Sequence, residues 1–331
     1  MMESKLKLIS DYIYNCMPRI IESNGDVFLA FEFMKRLPAA WMIKQAIERR
    51  EISEYTHIIE TSSGTFAVGL AEVCNLLNIP CHIVSDPAIR GIPEFLSLQQ
   101  GASLYIIDKP DKSGNYQQKR LEKIETLKKE FPDHFVPNQY HNPDNAESYS
   151  FAVDHLIRAT KKIPDSVICT VGSGGSSRGI LSSLKVINSS VTGVGVDTPG
   201  SVLLGDTNRR RELRGLGNSL LPGNLDAGSL NRRYWLHKAH AVYGTFQLYK
   251  NLKIFCGLTS GAAYLAYLHQ KHLYPEKSFL TVLPDIGYRY MDDLINPPPS
   301  PWLSDFPQEI ADVTEIDKTS ENNWYYQEFE K

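Results

Sequence analysis

The chain has 331 residues, a formal net charge of −3 and a hydrophobic fraction of 42%. This length exceeds what one hydrophobic core usually holds, so we expect two lobes. The near-neutral charge argues against a nucleic-acid-binding protein, and no apolar run approaches the roughly 20 residues of a membrane span. The five scattered cysteines form no C-x-x-C pair and no secretory signal is evident, which predicts a cytoplasmic protein with reduced thiols and no metal site.

Short β-rich segments alternate with longer helical segments along the chain. The strands are predicted at 27–33, 56–60, 80–84, 103–107, 166–171, 191–197 and 279–283. The helices are predicted at 38–50, 66–77, 95–100, 116–131, 149–160, 178–186, 243–251 and 262–272. This alternation predicts an α/β fold with parallel sheets covered by helices. Ligands of such folds bind at the carboxyl ends of the strands, so the loops that follow the strands are the candidate sites.

The clearest of these loops is Val171-Gly172-Ser173-Gly174-Gly175-Ser176-Ser177, between a strand and a helix. Its glycines allow backbone N–H groups to approach an anion, and the helix N-terminus adds partial positive charge. We therefore favour a phosphate-binding loop over a plain turn. No lysine follows as in a nucleotide P-loop, and Ser177 occupies the third glycine position of G-x-G-x-x-G. Asp197 ends the next strand, where dinucleotide-binding folds place the acid that binds the ribose, so an NAD-binding site is the alternative interpretation.

Three further loops carry candidate residues, each with a structural alternative. The Glu60–Thr65 segment suits a carboxylate, but Ser63 or Thr65 could equally cap the following helix. The Gly257–Ala263 segment permits a flat ligand to approach a helix start, and the Leu283–Tyr290 segment places a carboxylate at a strand end. Both could be purely structural turns.

Taken in order, these loops resemble the fold-type II pyridoxal-phosphate (PLP) enzymes, the cysteine synthase and cystathionine β-synthase family. The resemblance runs from about Val27 to Leu294 and is carried by segments 60–64, 138–140, 196–202, 211–217 and 283–290. It implies a two-lobed, tryptophan synthase β-like architecture and a homodimer. The lobes would be a smaller mobile one at 37–150 and a larger cofactor-binding one at 1–36 and 151–300, followed by a polar tail at 301–331.

The resemblance also implies a role for individual residues. The cofactor phosphate would be held by Gly172, Ser173, Gly174, Gly175 and Ser176. Thr65 would lie beside the cofactor oxygen, while Thr259 and Asp285 would lie at the pyridine nitrogen. The substrate carboxylate would be bound by Ser62, Ser63, Gly64 and Gln139, with Gly215 lining the site opposite the cofactor.

The reaction implied is β-replacement on a serine-derived amino acid such as O-phosphoserine or O-acetylserine. One lysine serves both as the covalent anchor of the cofactor and as the base that removes the α-proton. The product would be of the cysteine or diaminopropionate type. The alternative is a non-catalytic homologue that binds a ligand or a partner protein.

The segment before the first predicted helix departs from the family pattern. The family has Asn-Pro-x-x-Ser-x-Lys-Asp-Arg there, whereas this chain passes from Glu32 to Pro38 with about six residues fewer. The simplest alignment makes Lys35 the Schiff-base lysine, but the gap could also have removed that lysine. Lys44 is a poorer candidate. Thr65 and Ala67 also replace an asparagine and a glycine of the family.

Overall fold

The computed structural model describes residues 2–110, 116–213, 215–297, 306–317 and 320–329. The helices are α1 (Met2–Asn15), α2 (Arg36–Glu48), α3 (Thr65–Leu77), α4 (Ile92–Gln99), α5 (Gln117–Glu130), α6 (Asp144–Glu147), α7 (Ser150–Thr160), α8 (Gly175–Ile187), α9 (Lys238–Leu252), α10 (Leu258–Leu273) and α11 (Met291–Ile295). The strands are β1 (Arg19–Ser23), β2 (Asp26–Ala30), β3 (His57–Thr61), β4 (Cys81–Ser85), β5 (Ser103–Ile106), β6 (His134–Phe135), β7 (Ser166–Thr170), β8 (Thr192–Asp197), β9 (Leu230–Trp235), β10 (Phe279–Leu283), β11 (Gln308–Glu309) and β12 (Tyr325–Glu328).

One compact unit comprises Met1–Met17 and Phe33–Ser148. Its four strands lie in the order β5-β4-β3-β6 and are all parallel. Helices α3 and α5 pack on this sheet, which explains why β4 is buried along its whole length. The carboxyl end of β3 leads through a short loop into α3, so this loop lies where a parallel sheet binds its ligands.

The second unit comprises Pro18–Glu32 and Tyr149–Lys331. Its sheet has the order β1-β2-β10-β7-β8-β9-β12-β11. The strands from β2 to β9 in that order are parallel, while β1 and β12 pair antiparallel to β2 and β9. Helices α9 and α10 pack against each other, and apolar residues of both are buried in the same core cluster as those of the central strands. Because β7 and β10 are parallel neighbours, the loops that follow them begin at the same edge of this sheet.

The predicted α/β fold with parallel sheets covered by helices is confirmed, with differences in detail. The larger sheet is mixed rather than purely parallel. Helix α1 belongs to the same unit as 33–148, because it packs on α2 and α3. Helices α8 and α10 begin at Gly175 and Leu258, earlier than predicted. The prediction began each helix after its glycines, because glycine is unfavourable in a helix interior, whereas the structure includes Gly175 and Gly261 near the helix starts.

Part of the segment predicted as a polar tail at 301–331 belongs to the larger sheet. Strand β12 pairs with β9 in the antiparallel register, and Trp324, Tyr325 and Tyr326 are buried. Residues 298–305 lie outside the described part of the chain, as does the end of the predicted tail at 330–331. In the parts that are described, no helix is both long and apolar enough to cross a membrane.

Candidate active site

Lys35 lies immediately before α2, at the N-cap position of that helix. Its Nζ donates a hydrogen bond to Oε1 of Gln139, over 3.4 Å. Lys44 instead pairs with Glu48 one turn later in α2 and lies 5.0 Å from the ring of Trp41. The structure therefore brings Lys35, and not Lys44, next to a residue that the resemblance assigns to substrate binding.

Gln139 connects Lys35 to the loop that follows β3. Its Nε2 donates to the carbonyl oxygen of Thr61 over 3.4 Å, and its backbone N–H donates to Oε2 of Glu60 over 3.3 Å. Asn145 Nδ2 in turn donates to the carbonyl of Gln139. Two segments almost 80 residues apart thus meet in one cluster.

The loop between β3 and α3 presents hydroxyl groups and a helix N-terminus. Gly64 occupies the N-cap of α3 and has no side chain with which to cap it, so the alternative of capping by Ser63 or Thr65 does not describe this helix start. Ser62 and Thr65 are largely buried. The first N–H groups of a helix have no partner within the helix, and together with the helix dipole they favour a carboxylate.

Thr61 and Glu60 belong to this cluster but were not among the predicted site residues. The Oγ1 atom of Thr61 is buried and has no hydrogen-bond partner among the residues that the structure describes. Glu60 is 3% exposed, and burial raises its pKa to about 7. Their place at the end of a predicted strand, directly before the hydroxyl-rich loop, was the signal that could have pointed to them.

The glycine-serine loop of the second unit connects β7 to α8. Gly174 is the N-cap of α8 and has a left-handed conformation, with φ of 79°. A Cβ atom at this position would lie 2.5 Å from the Cα of Leu225, so only glycine fits. Ser173 and Ser176 are largely buried, and Ser177 Oγ donates to the carbonyl of Gly174 over 3.0 Å.

Other predicted residues of the second unit lie near this loop. A Cβ atom on Gly172 would lie 3.3 Å from the carbonyl oxygen of Gly215, and one on Gly215 would lie 3.4 Å from Cγ2 of Thr259. Gly172, Gly215 and Thr259 therefore line one region, which joins the glycine-serine loop to the start of α10. Arg214 lies outside the described residues.

Thr259 and Asp285 form a hydrogen-bonded pair. Thr259 Oγ1 donates to Asp285 Oδ1 over 3.0 Å, and the hydroxyl of Tyr290 donates to Oδ2 over 2.8 Å. Arg289 lies 3.9 Å from Oδ2. Burial and the charge of Asp285 raise the pKa of Tyr290, so its hydroxyl stays protonated and remains a donor. The hydroxyl of Thr259 is thus directed at an acidic group, which the sequence could not reveal.

Asp197 does not support the NAD-binding rival. The side chain is fully buried at the end of β8, and its Oδ1 accepts the N–H of Thr198 over 2.8 Å. Burial raises its pKa to about 7. A carboxylate that binds a ribose must face the ligand, whereas this one lies beneath the loop that follows its own strand. Within the described ranges, no cluster of three or more His, Cys, Asp or Glu side chains could hold a metal ion.

A model of the family described as "Pyridoxal-phosphate dependent enzyme" matches residues 34–285, which is most of the chain. The chain belongs to this family. Its cofactor is therefore PLP, and the matched region includes both Lys35 and Asp285.

Solved structures of similar fold confirm the predicted fold-type II architecture. Cysteine synthase from Entamoeba histolytica superposes with a TM-score of 0.78 at 22% identity, over 87% of this chain and 91% of that one. An O-acetylserine-dependent cystathionine β-synthase from Helicobacter pylori gives 0.76 at 21% identity, over 86% and 96%. A hydrogen sulfide-producing enzyme from Fusobacterium nucleatum gives 0.75 at 24% identity, over 85% and 98%.

The residues of the second unit fit the phosphate and ring of PLP. Helix α8 has Gly174 at its N-cap, and the buried serines Ser173 and Ser176 lie next to it. The N–H groups of the helix start and the serine hydroxyls are donors that suit a phosphate dianion. The Thr259–Asp285 pair offers an anionic partner for a ring nitrogen that carries a proton.

Proposed function

We propose that the protein is a PLP-dependent enzyme that performs β-replacement on a serine-derived amino acid. The observation that carries the proposal is the cluster in which the side chain of Gln139 links the Lys35 amine to Thr61, directly before the loop that leads into the candidate carboxylate-binding start of α3. Lys35 would hold the cofactor covalently through Nζ. The loop at 172–176 would hold its phosphate, and Thr259 with Asp285 its ring nitrogen.

The bound cofactor would supply an electron-withdrawing system that acidifies the α-carbon of the substrate. The residues of the chain would do the rest. The N–H groups and hydroxyls of 62–65 would bind the substrate carboxylate at the N-terminus of α3. Lys35 Nζ would take the α-proton, because an amine released from covalent attachment is a base close to that carbon. Gln139 would orient both groups, since it already contacts Lys35 and Thr61.

We infer O-acetylserine or O-phosphoserine as the substrate, because a good leaving group on the β-carbon is what this chemistry requires. The structural neighbours support the proposal, since the Entamoeba histolytica protein is a cysteine synthase and the Helicobacter pylori protein is an O-acetylserine-dependent cystathionine β-synthase. The segments 60–64, 138–140, 196–202, 211–217 and 283–290 resemble those of N-(2-amino-2-carboxyethyl)-L-glutamate synthase, an enzyme of siderophore biosynthesis. A diaminopropionate-type product is therefore part of the proposal, beside a cysteine-type one.

Release of the leaving group tests the proposed reaction. The PLP-loaded protein is expected to release acetate from O-acetylserine or phosphate from O-phosphoserine, and to transfer the remaining three-carbon unit to sulfide or to an amine such as glutamate. Product formation is measured by mass spectrometry, with serine as the control substrate because its hydroxyl is a poor leaving group. A protein that binds PLP and releases neither group would contradict the proposal.

The second candidate is a homologue that binds ligand without turnover. The shortened segment before Lys35 favours it, since only five residues separate the end of β2 at Ala30 from the start of α2 at Arg36. The release assay separates the two candidates, because a non-catalytic homologue would bind PLP or the amino acid and form no product.

We further propose a homodimer in the cytoplasm. Three aromatic side chains on α9 are partly exposed, namely Tyr243, Phe246 and Tyr249. The ring of Phe255 packs against both Tyr249 and Tyr288, and Tyr288 is 61% exposed. Apolar surface of this kind is typical of an interface. The five cysteines form no disulfide, which supports a reducing compartment.

Replacing Phe246 with aspartate is expected to convert the dimer to a monomer, because a charge buried in an apolar interface is costly. Sedimentation velocity measures the change. Val186→Asp is the matched control, since Val186 is 88% exposed on α8 and should tolerate the same charge. If Phe246→Asp and wild type sediment identically as dimers, the interface lies elsewhere.

A further inference from the structure

Glu60 is an ionisable side chain in the first unit that the proposed reaction does not use. It is the penultimate residue of β3 and is almost completely buried. Burying a carboxylate is costly unless it is well hydrogen-bonded, so the burial of Glu60 requires hydrogen-bond donors around it.

The donors are backbone groups that surround the Glu60 carboxylate. Oε1 of Glu60 accepts the N–H of Thr61 over 2.7 Å, and Oε2 accepts the N–H of Gln139 over 3.3 Å. The backbone N–H of Asn138 also acts on this carboxylate and lowers its pKa. Asn138 has a left-handed conformation, with φ of 54°, so the chain turns sharply there. One carboxylate thus fastens the 138–139 turn to the end of β3.

The side chain of Gln139 links the 138–139 turn to the amine of Lys35. Its side chain spans the two groups that matter for the proposed chemistry, with Oε1 accepting from Lys35 Nζ and Nε2 donating to the carbonyl of Thr61. The backbone of Gln139 is held by Glu60 on one side and by Asn145 on the other. A shift of the 138–139 turn would therefore move the Gln139 side chain away from Lys35.

We propose that Glu60 is a positioning residue, whose carboxylate holds the 138–139 turn so that the Gln139 side chain stays between Lys35 Nζ and the carbonyl of Thr61. This role of Glu60 in catalysis rests on the proposed function, whereas its role in holding the turn does not. In this role Glu60 acts through Gln139 rather than by a contact of its own with substrate or cofactor.

The ionised carboxylate is the form that positions the turn. It accepts the N–H groups of Thr61 and Gln139, whereas a protonated carboxyl turns one acceptor into a donor. Burial raises the pKa of Glu60 to about 7, against the opposing effect of these N–H groups and of Arg120 on α5. Arg120 is itself paired with Asp86 at 3.1 Å, and Lys35 is one side chain away through Gln139. Positioning is therefore expected to be half lost near pH 7, to be nearly complete about one pH unit higher and to weaken further as the pH falls.

Labelling of the Lys35 amine tests this without turnover. In the cofactor-free protein, the rate of reductive methylation at Lys35 is measured by mass spectrometry from pH 6 to pH 8.5, with Lys44 as the internal reference. Glu60→Gln should raise the Lys35 rate severalfold relative to Lys44 and flatten its pH profile near 7. Gln139→Ala should do the same, and Glu60→Gln should add nothing further in the Gln139→Ala background, because the two residues act in series.

The kinetic arm uses the PLP-loaded protein. Glu60→Gln should raise the KM for O-acetylserine or O-phosphoserine about tenfold at pH 8, with a melting temperature close to that of the wild type. The positioning role is overturned if Glu60→Gln leaves labelling and KM within twofold of wild type, or if it acts equally with and without the Gln139 side chain. If Glu60→Gln does not fold, Glu60→Asp gives the same comparison, since it keeps the charge but withdraws it by one carbon. A wild type that releases no leaving group refutes the proposed function alone, because the labelling arm still decides the role of Glu60.

Discussion

Lys35→Ala is expected to abolish both the visible absorbance of the PLP-loaded protein and its reaction with serine-derived substrates. The amine is the covalent attachment point in the proposed mechanism and the base that takes the α-proton. Removing one general base alone lowers rates by about 10²–10⁴-fold, and the loss of the covalent anchor adds to this. Absorbance spectra and borohydride reduction followed by peptide mass spectrometry measure the attachment at Lys35.

Lys44→Ala is the matched control for this substitution. Lys44 lies on the same helix and interacts with Glu48 and Trp41, so its loss changes charge without touching the Gln139 cluster. We expect wild-type absorbance and activity for this variant. Retention of the visible absorbance by Lys35→Ala would place the attachment on another lysine and would contradict the alignment of Lys35 with the family lysine.

Gly174→Ala is expected to weaken PLP binding strongly and to destabilise the second unit. The new Cβ atom would lie 2.5 Å from Leu225 Cα, and alanine would be forced into a left-handed conformation. Strain of this kind costs about 1–3 kcal/mol, and relief of the strain by movement of the loop would displace the N–H groups from the phosphate. Titration of the cofactor-free protein with PLP should show an increase in Kd of about tenfold or more.

Gly228→Ala separates this effect from a general sensitivity to added methyl groups. A Cβ atom at Gly228 would meet only Asp226 Oδ1, at 3.6 Å, which is ordinary contact. Its Kd for PLP and its melting temperature should match the wild type. An unchanged Kd for Gly174→Ala would mean that the phosphate is bound by another loop.

The parallel-sheet core of this fold is accessible from the sequence because its strands are apolar runs bounded by glycine and polar residues. Strand β9 was missed, since Arg232 and Arg233 make it appear exposed, yet Arg232 is buried and pairs with Glu328 on β12. Strand β1 was also missed, although Asn24-Gly25 is a strong signal for the hairpin that joins it to β2.

The candidate site divides in the same way into local and long-range features. The loops at 60–65 and 172–176 could be predicted, because each is contiguous and follows a strand. The contact of Thr259 with Asp285 joins residues 26 positions apart, and that of Lys35 with Gln139 joins residues 104 apart. Such contacts are set by the packing of helices on the sheets, so the bonding partners of these side chains could not be derived from local pattern.

The order of strands in the larger sheet bears on how the chain folds during its synthesis. The first unit is complete in sequence once Ser148 has been made. The second unit must wait, because β2 pairs with β10, more than 240 residues later, and β9 pairs with β12 near the end of the chain. The β1–β2 hairpin would therefore emerge from the ribosome long before its partner, with its apolar strand β2 exposed. Folding of the second unit therefore cannot be completed until β10 and β12 have emerged, and β2 lacks its parallel partner in the interval.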